Sequence, residues 1–457
     1  LASVAPVTRD DAWLTRAIDR YHQLCANPAL AGPAVVAEFA SAQADAGLTF
    51  GGVVQCRSLR PAFITRDGLE QLRSAVGALS SAFAVVEARA PADAALAVEL
   101  GLSADEQALI SIDPGYAGAT VVSRLDTYFD LVPRVLEYNA DSPAGMSYQA
   151  GQAALMQGLP VMERFAEEFE LEALRADVAL RQTLLAVWSE FARGMGITDR
   201  GVPSVAIVDL PGVATSAEFR LVRDDLMAHG VPAIIASPEE LTYDGEVLRS
   251  GGQRIDLVYK RLLVADFLAH YDLRHPLVRA YADGAVCVAS SFRCSIAHKK
   301  KALSVLRDPA RASWFSVDQH AAIDRLIAET MPYGPAHRTA MEAEQDQWAL
   351  KPNDAHGGEG VTLGWECDAG GWSVALDRAA TGEWVVQERV EPTFGSYPVF
   401  DAHAMKRGAQ VRRLIEDCNA YLFRGALGGI LTRLSETAVI NVSQGGQAIP
   451  TFVIAPA

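Results

Sequence analysis

Two apolar runs set the strongest constraint on this chain. TVVSRLDTYF (120–129) and RVLEYNADS (134–142) are separated by a short turn, and each carries polar residues two positions apart. In a strand, residues i and i+2 share a face, so Arg124 lies beside Asp126 and Glu137 beside Asn139. The short separation predicts a hairpin that gathers all four side chains on one surface. Carboxylate and amide oxygens suit magnesium, which takes close octahedral oxygen ligands and keeps some of its waters. The rigid donor fork of Arg124 suits phosphate oxygens. An exposed ribbon with satisfied surface charges fits the same spacing, and Asp141 fits a simple turn-closing role.

A second stretch, WALKPNDAHGGEGVTLG (348–364), puts Lys351 at the end of a short apolar strand, with Gly357, Gly358 and Gly360 following. Such glycines permit a tight turn whose N–H groups face phosphates, with the lysine as a point charge. A hairpin turn beside a half-exposed lysine accounts for the same residues. No GxxxxGK[ST] and no dinucleotide fingerprint occurs. EWVVQERV (383–390) reads as a strand with a polar exit. Gln387, Glu388, Arg389 and Val390 are candidates for an edge offering backbone N–H and C=O to an adenine ring, and Glu388 or Glu391 for ribose hydroxyls.

The rest alternates between helical and strand periods, which predicts an α/β chain. Residues 9–45 read as helix with a turn at Asn27-Pro28, and 68–90 as helix. ALISIDPG (108–115) reads as a short strand and turn, and 151–196 as helix. VPSVAIVDLPG (202–212) reads as a buried strand, 216–237 as helix, turn and strand, and 241–263 as hairpin strands. VTLGWEC (361–367) is strand-like, 405–423 mixes strand and helix, and 437–446 is a strand with a glycine turn. We divide the chain into a helical and α/β region (1–115), an α/β region with the polar hairpin and substrate-side elements (116–300), and a nucleotide-binding region with the glycine loop (301–457).

Composition narrows the partners. A net charge of -16 argues against general affinity for nucleic acid or anionic membrane. No apolar run approaches the roughly 20 residues needed to span a bilayer. Cys25, Cys56, Cys287, Cys294, Cys367 and Cys418 form no CxxC pair, so neither structural zinc nor a disulfide framework is expected. The opening LASVAPVTRDDAW has no basic segment followed by a long apolar one, and a cytoplasmic setting is expected.

Together these segments resemble the ATP-grasp ligases, and among them the glutathionylspermidine synthetase and circularly permuted type 2 group. LEYNADSP (136–143) looks like the magnesium-binding strand, RLD (124–126) like its companion, and KPNDAHGGEGV (351–361) like the lysine and glycine loop. LTRLSETAVINVSQGG (431–446) looks like the C-terminal segment of permuted members. The resemblance runs from about residue 115 onward. It implies a permuted ATP-grasp fold with a preceding α/β region, using ATP and magnesium. Asp126, Glu137 and Asn139 would hold the metal. Arg124 would contact the transferring phosphate or an acyl phosphate. Lys351 and Lys301 would contact ATP phosphates, with Arg433 and Asn441 closing the phosphate end. Lys299 and Lys300 adjoin Lys301 and leave the register of that lysine open.

Relatives of the glutathione-synthesis type carry an acidic residue directly before the loop glycines. Here Asp354-Ala355-His356 stands there and Glu359 lies inside the loop, so one metal contact is shifted or missing. The implied reaction joins a small-molecule carboxylate, such as an amino acid or short peptide, to an amine through an acyl phosphate. His356 is a candidate general base. The alternatives are an ATP-dependent phosphotransferase and a degenerate ATP-grasp domain acting as a binding or partner protein. Oligomeric state is left open.

Overall fold

The computed structural model describes residues 12–130, 132–199, 201–401, 408–440, 442 and 445–457. The polar hairpin forms as its alternation requires. Val122–Phe129 pairs antiparallel with Pro133–Asn139, setting Arg124 opposite Asn139 and Asp126 opposite Glu137. The hairpin forms one edge of an eight-stranded sheet. From the other edge, the main path runs Ala62–Thr65, Gln447–Pro456, Ala426–Ser435, Gln410–Phe423, Val122–Phe129 and Pro133–Asn139. Thr393–Val399 pairs with the first half of Gln410–Phe423, and Phe169–Ala173 pairs with Gln447–Pro456. The sheet therefore draws strands from all three segments of the chain.

Gln410–Phe423 is one continuous strand with its last ten residues buried, not a mixture of strand and helix. It pairs on one side with Thr393–Val399 and then with Val122–Phe129, and on the other with Ala426–Ser435 from Ile415 onward; such pairing overrides local propensity. Helix Arg66–Arg89 packs on the sheet through Leu72, Val76, Leu79, Phe83 and Val86, an apolar stripe at helical spacing. Phe83 stacks on Tyr138 of the hairpin at 4.2 Å.

Other expectations are corrected. ALIS ends helix Ala104–Ser111, which a reciprocal capping box between Ser103 and Glu106 starts. The stretch 151–196 holds helices that end at Gln157 and Ala166, then strand Phe169–Ala173, then helix Ala176–Gly194. VTLGWEC supplies only the two-residue strand Thr362–Leu363 before a 3-10 turn. Residues 437–440 are not a strand. Asn441, Ser443 and Gln444 lie outside the described residues.

A second, parallel sheet has the order Cys287–Ala289, Leu257–Lys260, Val205–Val208, Ala233–Ala236. Leu257–Lys260 thus leaves the expected hairpin and joins buried neighbours. From Val205–Val208 the chain passes first to Ala233–Ala236 on one side, then to Leu257–Lys260 on the other. Open α/β sheets bind ligands at such a reversal, beyond the carboxyl ends of the strands. A third, antiparallel sheet runs Thr330–Pro332, Trp384–Glu388, Trp348–Pro352, Thr362–Leu363 over a core that includes Leu350, Trp372, Leu376 and Val386. It carries the glycine loop. Among the described residues no helix is long and apolar enough to cross a membrane.

Candidate active site

The hairpin divides its four polar residues between two environments. Asp126 is fully buried. Arg124 grips it with two bonds, Nε to Oδ1 at 2.6 Å and Nη2 to Oδ2 at 2.8 Å. Arg433, arriving from Ala426–Ser435, donates from Nη2 to Asp126 Oδ2 at 2.9 Å. It also binds Asp417 Oδ2, from Nε at 2.8 Å and from Nη2 at 2.5 Å. Asn419 Nδ2 donates to Asp417 Oδ1 at 2.5 Å. Burial opposes the Arg433 charge, but Asp126 and Asp417 more than offset this and hold its pKa above the ordinary value.

Glu137 and Asn139 are less fully engaged. Asn139 Nδ2 donates to Glu137 Oε1 at 3.0 Å, and Lys300 Nζ lies 3.6 Å from Glu137 Oε2. The Glu137 side chain keeps 21% of its exposure. Burial works against its charge. Lys300, the Asn139 bond, Lys351 and Arg433 together prevail and hold the carboxyl far below the usual range. Lys351 Nζ donates to Gln387 Oε1 at 2.6 Å and to the Leu136 carbonyl at 3.0 Å. Burial lowers its pKa to about 8.

The three lysines separate. Lys300 reaches Glu137 and donates to the Ala355 carbonyl of the glycine loop at 2.5 Å. Lys299 pairs with Glu106 at 2.6 Å and Asp354 at 2.5 Å. Lys301 turns away to the exposed Glu383, and neither it nor Lys300 lines a cavity wall. Lys300, not Lys301, is therefore the lysine brought beside the hairpin.

Two cavities meet at Glu137, Arg433 and Ile440. One is an apolar slot of about 130 Å³ that includes Ala349, Leu363, Trp365, Val390 and Val439. Lys351, Gln387, Glu388 and Arg389 also line it, as does Asp126. The backbone N–H of Glu388 is already given to Glu329 and that of Arg389 to Gln347. Val390 is thus the position left on the expected edge. Trp365, which carries the Arg389 guanidinium over its ring at 4.8 Å, was not singled out from sequence.

The other cavity is a cleft of about 630 Å³. Arg124, Glu137, Asn139, Gly357 and Gly358 stand at one end. Asp209 and Arg261, which follow the parallel strands Val205–Val208 and Leu257–Lys260, also line it. Gly358 has φ +76, and a Cβ there would lie 2.6 Å from Val439, so the loop's approach depends on glycine. Gly360 also has a left-handed φ of +72 but lies outside both cavities; its carbonyl accepts from Arg378.

Among the described residues no group of three or more His, Cys, Asp and Glu side chains is placed to hold a metal ion. Asp126 commits both oxygens to guanidinium groups. Glu137 and Asn139 remain. One carboxylate and one amide oxygen fit magnesium only when phosphate oxygens and waters complete the octahedron, the usual arrangement for this ion.

Sequence reading missed Asp417 and Asn419. Their signal was present, since they stand two apart in an apolar strand, as Arg124 and Asp126 do. His298 and Asp209 carried none.

The fold is shared with a glutathione synthetase-like effector (GSS30) from Globodera pallida, solved in its apo form. The two superpose with a TM-score of 0.58 at 12% identity, over 92% of this chain and 96% of that one. By sequence the chain is similar to the "Putative glutamate--cysteine ligase 2-2" of Frankia casuarinae, 24% identical over 339 residues. That match covers 70% of this chain and 36% of the relative, so the chain spans about a third of the length of the curated protein it matches. No protein-family model matches the chain.

Proposed function

We propose that this chain is an ATP- and magnesium-dependent carboxylate–amine ligase, ADP-forming, with a circularly permuted ATP-grasp fold. The observation that carries this reading is the junction of the two cavities. Glu137 and Arg433 line both the apolar slot and the polar cleft. A purine fits the slot, against Val390 and the Trp365 wall. Its phosphates then cross the junction toward Lys351, Lys300, Arg124 and the glycine loop. A substrate carboxylate in the cleft meets the γ-phosphate there.

Glu137 and Asn139 would hold magnesium, which would supply neutralisation of phosphate charge. The protein groups position and stabilise. Lys351 and Lys300 bring point charge to the phosphates. Arg124 commits donors to Asp126 and to the Ala144 carbonyl at 3.0 Å, and it also bonds the Tyr421 hydroxyl. A donor left over suits an acyl phosphate oxygen. The carboxylate oxygen takes the γ-phosphoryl group and ADP leaves. The amine nitrogen then attacks the acyl carbon, phosphate departs with the bond to oxygen, and the nitrogen loses its proton. Amino acids and short peptides are the substrate class favoured by the relatives' names.

The test is release of ADP and phosphate from Mg-ATP with pooled carboxylic acids and amines, products read by mass spectrometry. A new mass equal to acid plus amine minus water supports ligation. Phosphorylation of a hydroxyl acceptor instead would replace this reading with the phosphotransferase.

A further inference from the structure

The glycine loop is rooted on Asn353, the residue after strand Trp348–Pro352. Asn353 is 1% exposed and lines neither cavity of the site. Four bonds hold it. Its backbone N–H donates to the Glu383 carbonyl at 2.9 Å, and its carbonyl accepts from the Lys300 N–H at 3.0 Å. Its side-chain Oδ1 accepts from the Lys301 N–H at 2.9 Å, and its Nδ2 donates to the Leu100 carbonyl at 2.8 Å. Helix Lys301–Arg307 has no side-chain cap from its own N-cap residue, so a side chain 52 positions along the chain answers its first N–H. Leu100 closes helix Ala94–Glu99. Gly101 follows with φ +79, and a Cβ there would lie 2.7 Å from Asn353 Nδ2. The helix end and the loop root approach this closely because the residue is glycine.

A second tie runs beside the first. Lys299, 2% exposed, joins Asp354 at the start of the loop to Glu106, which also closes the capping box of helix Ala104–Ser111. Burial opposes the Lys299 charge, but Asp354 and Glu106 outweigh this and hold its pKa above the ordinary value. Lys300 Nζ donates to the carbonyl of the next residue, Ala355. Asn353, Asp354 and Ala355 are thus fastened in turn, and two of these ties end on residues 100–106.

We propose that Asn353 and Lys299 are positioning residues for the phosphate end of the site. They brace the glycine loop and the Lys300 backbone against residues 100–106, a segment that takes part in nucleotide binding without lining either cavity. The inference rests on the nucleotide half of the ligase reading. A glycine-rich turn has wide backbone freedom, and ordering it on binding reduces affinity. Bonds that hold the residues before the glycines remove part of that ordering in advance. The same bonds fix where Lys300 stands relative to the loop.

Calorimetric titration of the full chain with Mg-ATP and with adenosine tests this. Adenosine reaches the slot and not the loop, so a general loss of structure affects both ligands, whereas a loss of positioning affects Mg-ATP alone. Asn353→Ala is expected to weaken Mg-ATP binding by about tenfold and adenosine binding by less than about twofold. Asp354→Asn, at an exposed position, leaves Lys299 its Glu106 partner and is expected to weaken Mg-ATP binding by about threefold. Unchanged Mg-ATP affinity in either variant, or an equal loss for adenosine, overturns the positioning role and leaves the ligase reading standing. Wild type that binds neither ligand sinks the ligase reading, and this inference with it.

Discussion

The Asp126 side of the hairpin and the Glu137 side lie opposite each other in one register, yet their charges are answered to different degrees. Asp126 sits in a lattice with Arg124, Arg433 and Asp417 in which both its oxygens are taken. Glu137 has one amide bond, a lysine at 3.6 Å and an opening to two cavities. The first arrangement is complete without a ligand. The second gains from one, because Lys300 and Lys351 bring more positive charge than Glu137 alone balances. On the proposed reading the lattice chiefly holds the site's geometry, and the open side, with the free donors of Arg124, meets the ligand.

The largest expected effect breaks the lattice. Arg433→Met leaves Asp417 and part of Asp126 buried without their guanidinium, and folding stability should fall by about 3–5 kcal/mol. Urea denaturation reads this; a midpoint like wild type would show that the lattice is not what holds the hairpin.

Glu137→Gln probes the open side. Turnover should fall by about a hundredfold or more, with a stability change of only about 1–2 kcal/mol. Full turnover at saturating Mg-ATP would remove Glu137 from the metal role.

Lys351→Ala and Lys300→Ala should each weaken nucleotide binding by about tenfold. Lys301→Ala, whose ammonium faces Glu383, should leave it unchanged. Calorimetry that ranks Lys301 with the other two would restore the lysine first favoured by resemblance.

The smallest effect is one of pH. Lys351 titrates near 8 in the folded chain against an ordinary value of 10.5. Between those values the unfolded chain holds the extra proton. The residue's contribution to the stability of the ligand-free protein therefore rises with pH across that window. Nucleotide affinity moves the other way and falls above about 8 as the ammonium is lost. The difference between wild type and Lys351→Met in melting temperature, followed from pH 7 to 10, should grow in favour of wild type. A flat difference would place the titration elsewhere.

Much of the site was legible because strand period is a local property. Arg124, Asp126, Glu137 and Asn139 were grouped by their spacing alone, and they meet. Asp417 and Asn419 carry the same spacing but stayed hidden, since 405–423 read as part helix and the period was not followed. The three lysines were indistinguishable in sequence. Helix Lys301–Arg307 begins at the third of them, and the turn before it sends each ammonium a different way. The capping box at Ser103 and Glu106 was present in the sequence, yet apolar ALISI suggested a strand; short apolar runs do not distinguish the two.

By itself the sequence determined the polar hairpin, the glycine turn after Lys351 and the α/β alternation, because each depends on residues a few positions apart. Tertiary structure decided which charges are spent on each other and which remain for a ligand. Asp126 is satisfied by Arg433 from a strand far along the chain, whereas Glu137 keeps an opening to two cavities walled by separate stretches. Spacing within a segment fixes which face a side chain takes, but whether a buried charge is paired depends on what packing brings against that face.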